Sequence, residues 1–126
     1  PKPQNPKFKK LKTKNVYQLY IYKMQQQYTL IIFLDCDGVL NTTRCLQLDY
    51  EENDNTLLFD PNDKYSPLEK RCLSNLKDLI EKTQAKIVLT TTWRNNSEMR
   101  ETLLKYLEMS GIPNNTVLGD TPSLAN

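Results

Sequence analysis

The residues of this chain best suited to chemistry are Asp35, Asp37 and Gly38, and the run Thr90-Thr91-Thr92-Trp93-Arg94. Paired carboxylates suit a hard cation such as Mg²⁺, which takes one or two protein carboxylates and completes its shell with water and phosphate oxygen. One acid could attack phosphorus as a nucleophile. The other could protonate the leaving oxygen and later take a proton from water. Gly38 lets the backbone turn sharply, or lie against a ligand with no side chain in the way, which makes it a candidate for phosphate contact. Asp and Gly are also ordinary turn residues, so an isolated Asp-x-Asp is compatible with a plain acidic turn.

These residues must be positioned by strands. Leu30 to Leu34 is an unbroken apolar run that ends at the acids. It reads as a strand buried on both faces of a parallel sheet, with Asp35 and Asp37 at its C-terminal tip, where open α/β sheets place their ligand crevice. Ala85 to Leu89 is a second buried strand, running straight into the threonines. Between them, Ser66-Pro67-Leu68-Glu69 predicts a helix start with a capping box, and Leu68, Cys72, Leu76, Leu79 and Ile80 repeat at helical spacing. A strand, helix and strand in this order make a right-handed crossover between parallel neighbours. That brings Thr90 and Thr91 beside Asp35 and Asp37. A hydroxyl and a backbone N–H at a strand tip can hold a phosphoryl oxygen, although threonines also end strands for β propensity alone. The Arg94 guanidinium matches phosphate geometry, or pairs with a structural carboxylate. Asn95 or Ser97 caps a second helix with Met99, Leu103, Leu104 and Leu107 facing inward, and Gly111 ends it ahead of Pro113. Thr116 to Gly119 is a third strand, with Asp120 a loop acid beyond it.

Asp35-Cys36-Asp37-Gly38-Val39-Leu40-Asn41 resembles the first motif of the haloacid dehalogenase (HAD) superfamily in its phosphatase form. The hydroxyl residues followed by Trp93-Arg94 are similar to the HAD domains of Swiss-army-knife RNA repair proteins. The resemblance implies a Rossmann-like three-layer α/β sandwich with a parallel sheet. It implies that Asp35 is the nucleophile that becomes an aspartyl-phosphate, and that Asp37 is the general acid/base. Mg²⁺ is then held by the Asp35 carboxylate and the Asp37 carbonyl, and Thr90, with Thr91 second, binds phosphate. Residues 28–126 form the N-terminal portion of such a domain, with a flap or small cap loop over 41–65. The family's later lysine and further acids have no match here. The sheet is therefore expected to be truncated after its third strand, and activity impaired as the chain stands.

Residues 1–27 form a basic extension, with seven Lys and no acid, while the remainder carries 10 basic and 15 acidic residues. Its first 15 residues, rich in Pro and Lys, are expected to be disordered. Such an arm can bind nucleic-acid phosphates by charge, or be a solvated tail or sequence upstream of an initiator at Met24. Val16 to Lys23 has high β propensity and could pair with the main strand, whose edge would otherwise lie exposed. Three cysteines without a CxxC pair argue for a reducing compartment, cytoplasm or nucleus, and against disulfides or a thiolate zinc site. The absence of His excludes imidazole-based triads and metal ligation. No apolar run is long enough to span a membrane. A phosphorylated substrate is the expected partner; the sequence sets no oligomeric state. The alternative from another class is a non-catalytic phosphate- or nucleic-acid-binding module that uses the basic arm.

Overall fold

A computed structural model of the chain describes residues 15–46, 55–62, 65 and 67–123. In chain order its elements are helix α1 (Val16–Gln27), strand β1 (Ile31–Leu34), short helix α2 (Thr43–Leu46), strands β2 (Leu57–Leu58) and β3 (Leu68–Glu69), helix α3 (Lys70–Thr83), strand β4 (Lys86–Leu89), helix α4 (Ser97–Met109) and strand β5 (Val117–Asp120). Single 3₁₀ turns at Thr92–Asn95 and Asn114–Thr116 lead into α4 and β5.

β1, β4 and β5 form one parallel sheet in the order β1-β4-β5, with a helix in each connection from β1 to β4 and from β4 to β5. This is the α/β, Rossmann-like arrangement expected from the sequence. The β1–β4 register is unbroken, Ile31 opposite Lys86 through Leu34 opposite Leu89. The β4–β5 register shifts between Ile87 and Val88, so that Leu118 is the extra residue of a bulge. Among the described residues no helix is long and apolar enough to cross a membrane.

The core lies between the sheet and its crossover helices. Leu34, Ile87 and Leu89 pack with Leu73 and Leu76 of α3 and with Leu103, Tyr106 and Leu107 of α4. Both helices cover the same face. The other face shows Phe33 at 66% and Leu118 at 59% exposure. β1 is therefore not buried on both faces as its apolar run suggested, because α3 and α4 both pack on the side of Leu34. Of the helix positions expected in the core, Leu76 is buried, Cys72 and Ile80 are partly so, and Leu79 is 44% exposed. The buried stripe of α3 runs through Leu73 instead.

Three boundaries differ from expectation. Val16 to Lys23 is helical, not extended: the Asn15 side chain caps it by accepting from the Gln18 N–H at 2.9 Å, and the helix packs toward α3. β propensity depends on a partner strand, and α1 does not take up the β1 edge. The predicted helix start at residues 66–69 is shifted to Lys70, since Leu68 and Glu69 pair antiparallel with Leu58 and Leu57; Ser66 lies outside the described residues. The second helix is capped by Asn96, which accepts from the Met99 N–H at 3.1 Å. Of the basic extension, residues 1–14 also lie outside the described residues.

The core assignment makes a direct prediction. Leu89→Ala, at a fully buried position, should destabilise the domain by about 2–5 kcal/mol. Leu118→Thr, on the uncovered face, should change stability by less than about 0.5 kcal/mol. Urea unfolding of the two variants checks both.

Candidate active site

The site is built at the C-terminal ends of β1 and β4. With Leu34 opposite Leu89, the next residues, Asp35 and Thr90, sit side by side at the sheet rim. The Thr90 N–H donates to the Leu34 carbonyl at 2.8 Å, extending the ladder one step past the last strand pair. Asp35 is exposed and accepts from the Cys36 N–H at 2.7 Å. It also borders an apolar groove along the outer edge of β1, lined by Phe33, Val39 and Leu79 among others.

Beyond Asp35 the chain folds into a tight closed loop. The Cys36 carbonyl accepts from the N–H groups of Val39, Leu40 and Asn41 at 2.9–3.3 Å. Gly38 adopts φ +78° there, in the left-handed region. Its N–H donates to Asn41 Oδ1 at 2.8 Å, while Asn41 Nδ2 donates to Asp37 Oδ1 at 2.9 Å. Asn41 is fully buried, so one amide locks the loop and holds the acid. A second donor comes from the end of β4: Trp93 Nε1–H reaches the same Asp37 Oδ1 at 3.1 Å. The Cys36 thiol is buried in the core, and that burial, reinforced by the Asp37 and Asp35 carboxylates, pushes its ionisation far up. It stays a neutral thiol and is no competitor as nucleophile.

The five residues after β4 divide their work. The Thr90 hydroxyl makes no hydrogen bond among the described residues and is the group at the rim open to a phosphoryl oxygen. Thr91 is fully buried, and its hydroxyl accepts from the Trp93 N–H at 3.2 Å, capping the 3₁₀ turn. Arg94 donates to the carbonyls of Thr90 at 2.8 Å, Thr121 at 2.9 Å and Pro122 at 3.4 Å, and to that of Thr91. The guanidinium is thus held by carbonyls, and among the described residues it forms no pair with a carboxylate, the alternative expected of it. Asp120 is the last residue of β5 rather than a loop acid, and it pairs with Arg100 through two bonds of 2.7 and 3.0 Å.

The stretch over 41–65, expected as a flap or small cap loop, includes α2 and one strand of the β2–β3 hairpin. It is tied back to α4 at two points. Tyr65 donates to Glu98 at 3.0 Å and its ring lies 6.1 Å from that of Trp93, while Lys105 pairs with Asp60. The Lys105 bond, then the Asn62 N–H, hold the Asp60 carboxyl below its ordinary value.

For a metal, the chain offers the oxygen donors of Asp35 and Asp37; among the described residues no cluster of three or more ligating side chains forms. An all-oxygen pair at an exposed rim fits Mg²⁺, which retains several waters, and does not fit zinc. The sequence singled out Asp35, Asp37 and Thr90 but assigned no role to the Trp93 indole or the Asn41 amide. A buried indole N–H needs an acceptor; that rule, applied to the chain's single Trp, was the available signal.

An acid pair and a hydroxyl at the carboxyl ends of adjacent parallel strands define a domain of the HAD class, in the hydrolase and phosphatase superfamily. Over residues 31–126 the chain matches the family described as the HAD domain in Swiss Army Knife RNA repair proteins, and it belongs to that family. No curated protein and no solved structure matches it.

Two substitutions test the scaffold of the site. Arg94→Lys cannot span the four carbonyls that the guanidinium reaches and should lower stability by about 1.5–3 kcal/mol. Gly38→Ala meets open space, with nothing within 4 Å of the added carbon. It should lose only the strain of a left-handed backbone, about 1–2 kcal/mol. Thermal and urea unfolding measure each.

Proposed function

We propose that the domain hydrolyses phosphomonoesters through an aspartyl-phosphate on Asp35, with the terminal phosphate of a nucleic acid or nucleotide as its substrate. The observation that supports this reading is the β1–β4 register, with Asp35 and Thr90 as the residues that follow its last pair, Leu34 and Leu89. The family's occurrence in RNA repair proteins and the lysine-rich residues 1–27 support a nucleic-acid phosphate.

In the first step an Asp35 oxygen attacks phosphorus and the bond to the leaving oxygen breaks. That oxygen takes its electron pair and a proton from the Asp37 carboxyl. In the second step Asp37, now a carboxylate, takes a proton from water as the water oxygen attacks phosphorus. The bond to Asp35 then breaks, restoring its carboxylate and releasing phosphate. Thr90 holds a non-bridging oxygen throughout. Mg²⁺, held by the Asp35 carboxylate and the Asp37 carbonyl, would offset phosphate charge when bound. With only two protein donors among the described residues, turnover is expected to be slow, since charge neutralisation dominates phosphoryl transfer.

The test uses the intact protein, a nitrophenyl phosphate and oligonucleotides phosphorylated at either end. Phosphate release should require Mg²⁺, stop on chelation, and fall by at least about a thousandfold in Asp35→Asn. Release that persists in Asp35→Asn would sink the proposal. Salt-sensitive RNA binding that survives Asp35→Asn, but is lost on deleting residues 1–15, would instead favour a non-catalytic binding module.

A further inference from the structure

Asp37 is held on one oxygen only. Trp93 Nε1–H and Asn41 Nδ2–H both donate to Oδ1, at 3.1 and 2.9 Å. A carboxyl oxygen that accepts two N–H bonds has both lone pairs engaged and is a poor place for a proton. Oδ2 receives no such donor from described residues. We propose that Trp93 and Asn41 are positioning residues that reserve Asp37 Oδ2 as the sole atom through which a proton is delivered to the leaving oxygen. This rests on the phosphatase reading above.

Both donors are built to stay in place. Asn41 is fully buried, and its own Oδ1 is committed to the Gly38 N–H. Trp93 is 3% exposed, and its backbone N–H is capped by the Thr91 hydroxyl. The next residue, Arg94, anchors the same turn to the ends of β4 and β5 through the Thr90 and Thr121 carbonyls. The bracket crosses 56 residues of sequence to reach Asp37. It leaves the carboxyl no freedom to rotate its oxygens between proton donation and acceptance. A well-oriented acid contributes about 10²–10⁴-fold to rate, and only when the leaving group needs a proton.

That condition separates positioning from mere structural support. In the intact protein, Trp93→Phe and Asn41→Asp are compared on two esters. A nitrophenolate departs without a proton, whereas an alkoxide requires one. Asn41→Asp keeps the acceptor for Gly38 but loses the donor to Asp37, so the pair remains informative if Trp93→Phe does not fold. Because both esters share the second step, the comparison is made on kcat/KM, which reports phosphoryl transfer to Asp35: on the alkyl phosphate it should fall about ten- to a hundredfold. On the nitrophenyl ester kcat/KM should change by less than about threefold. Equal losses on the two esters in a folded variant would overturn the proposal. Because the chain holds a single Trp, one indole N–H resonance reports the contact directly. It should be protected from exchange in wild type and shift in Asp37→Ala. An unprotected indole overturns the bracket even if activity is present, while a wild type that cleaves neither ester overturns the phosphatase reading itself.

Discussion

The hydrogen bond from the Thr90 N–H to the Leu34 carbonyl, 2.8 Å long, is the contact on which the rest of the site depends. It continues the β1–β4 ladder past the last paired residues and so fixes where Asp35 and Thr90 leave their strands. Side chains alternate along a strand, and a slip of one residue would send Asp35 and Thr90 to opposite faces. The register is in turn held by burial. Leu34, Ile87 and Leu89 all point into the one core, and a slip would expose them. Burying each such side chain stabilises by about 1.5–3 kcal/mol. The positions of Asp35 and Thr90 are thus set by apolar residues buried in the core.

Polar closure takes over where the strand ends. The Cys36 carbonyl gathers three N–H groups, and Asn41 closes the loop by accepting from Gly38 and donating to Asp37. Leaving a buried amide unsatisfied costs about 1–3 kcal/mol, so the fully buried Asn41 strongly favours the one geometry that engages both its ends. Gly38 is needed for the same closure, at φ +78°. The loop is rigid by hydrogen bonding in the way the strands are rigid by packing. Asp37 inherits that rigidity.

Much of this was legible in the residues themselves. Two apolar runs ending in Asp35 and Thr90, joined by a helical segment, are enough to specify parallel neighbours and a shared rim, and β1, α3 and β4 have that arrangement. The features that were not legible depend on distant contacts. Val16–Lys23 reads as a strand by propensity, yet becomes a helix because Asn15 caps it and no edge receives it. Leu68 and Glu69 read as a helix start, yet Leu57 and Leu58 draw them into a hairpin. Arg94 offers the charge and shape for phosphate, but nothing local reveals that Thr90, Thr91, Thr121 and Pro122 would present four carbonyls to it. The Trp93–Asp37 bond, 56 residues apart, is of the same kind.

The adjacent roles of Trp93 and Arg94 reflect the chemistry of each donor. In the proposed reaction Asp37 delivers a proton, a role that calls for a fixed orientation without an ion pair. A neutral indole N–H and a neutral amide meet that requirement; a guanidinium at the same place would not. Arg94 stands one residue further along, close enough in sequence to reach the acid, but its donors are occupied by backbone carbonyls at the ends of β4 and β5. Those carbonyls are uncharged acceptors that a five-donor fork satisfies well. The cation therefore stiffens the frame and stays off the carboxylate, while the aromatic side chain next to it makes the contact with the acid.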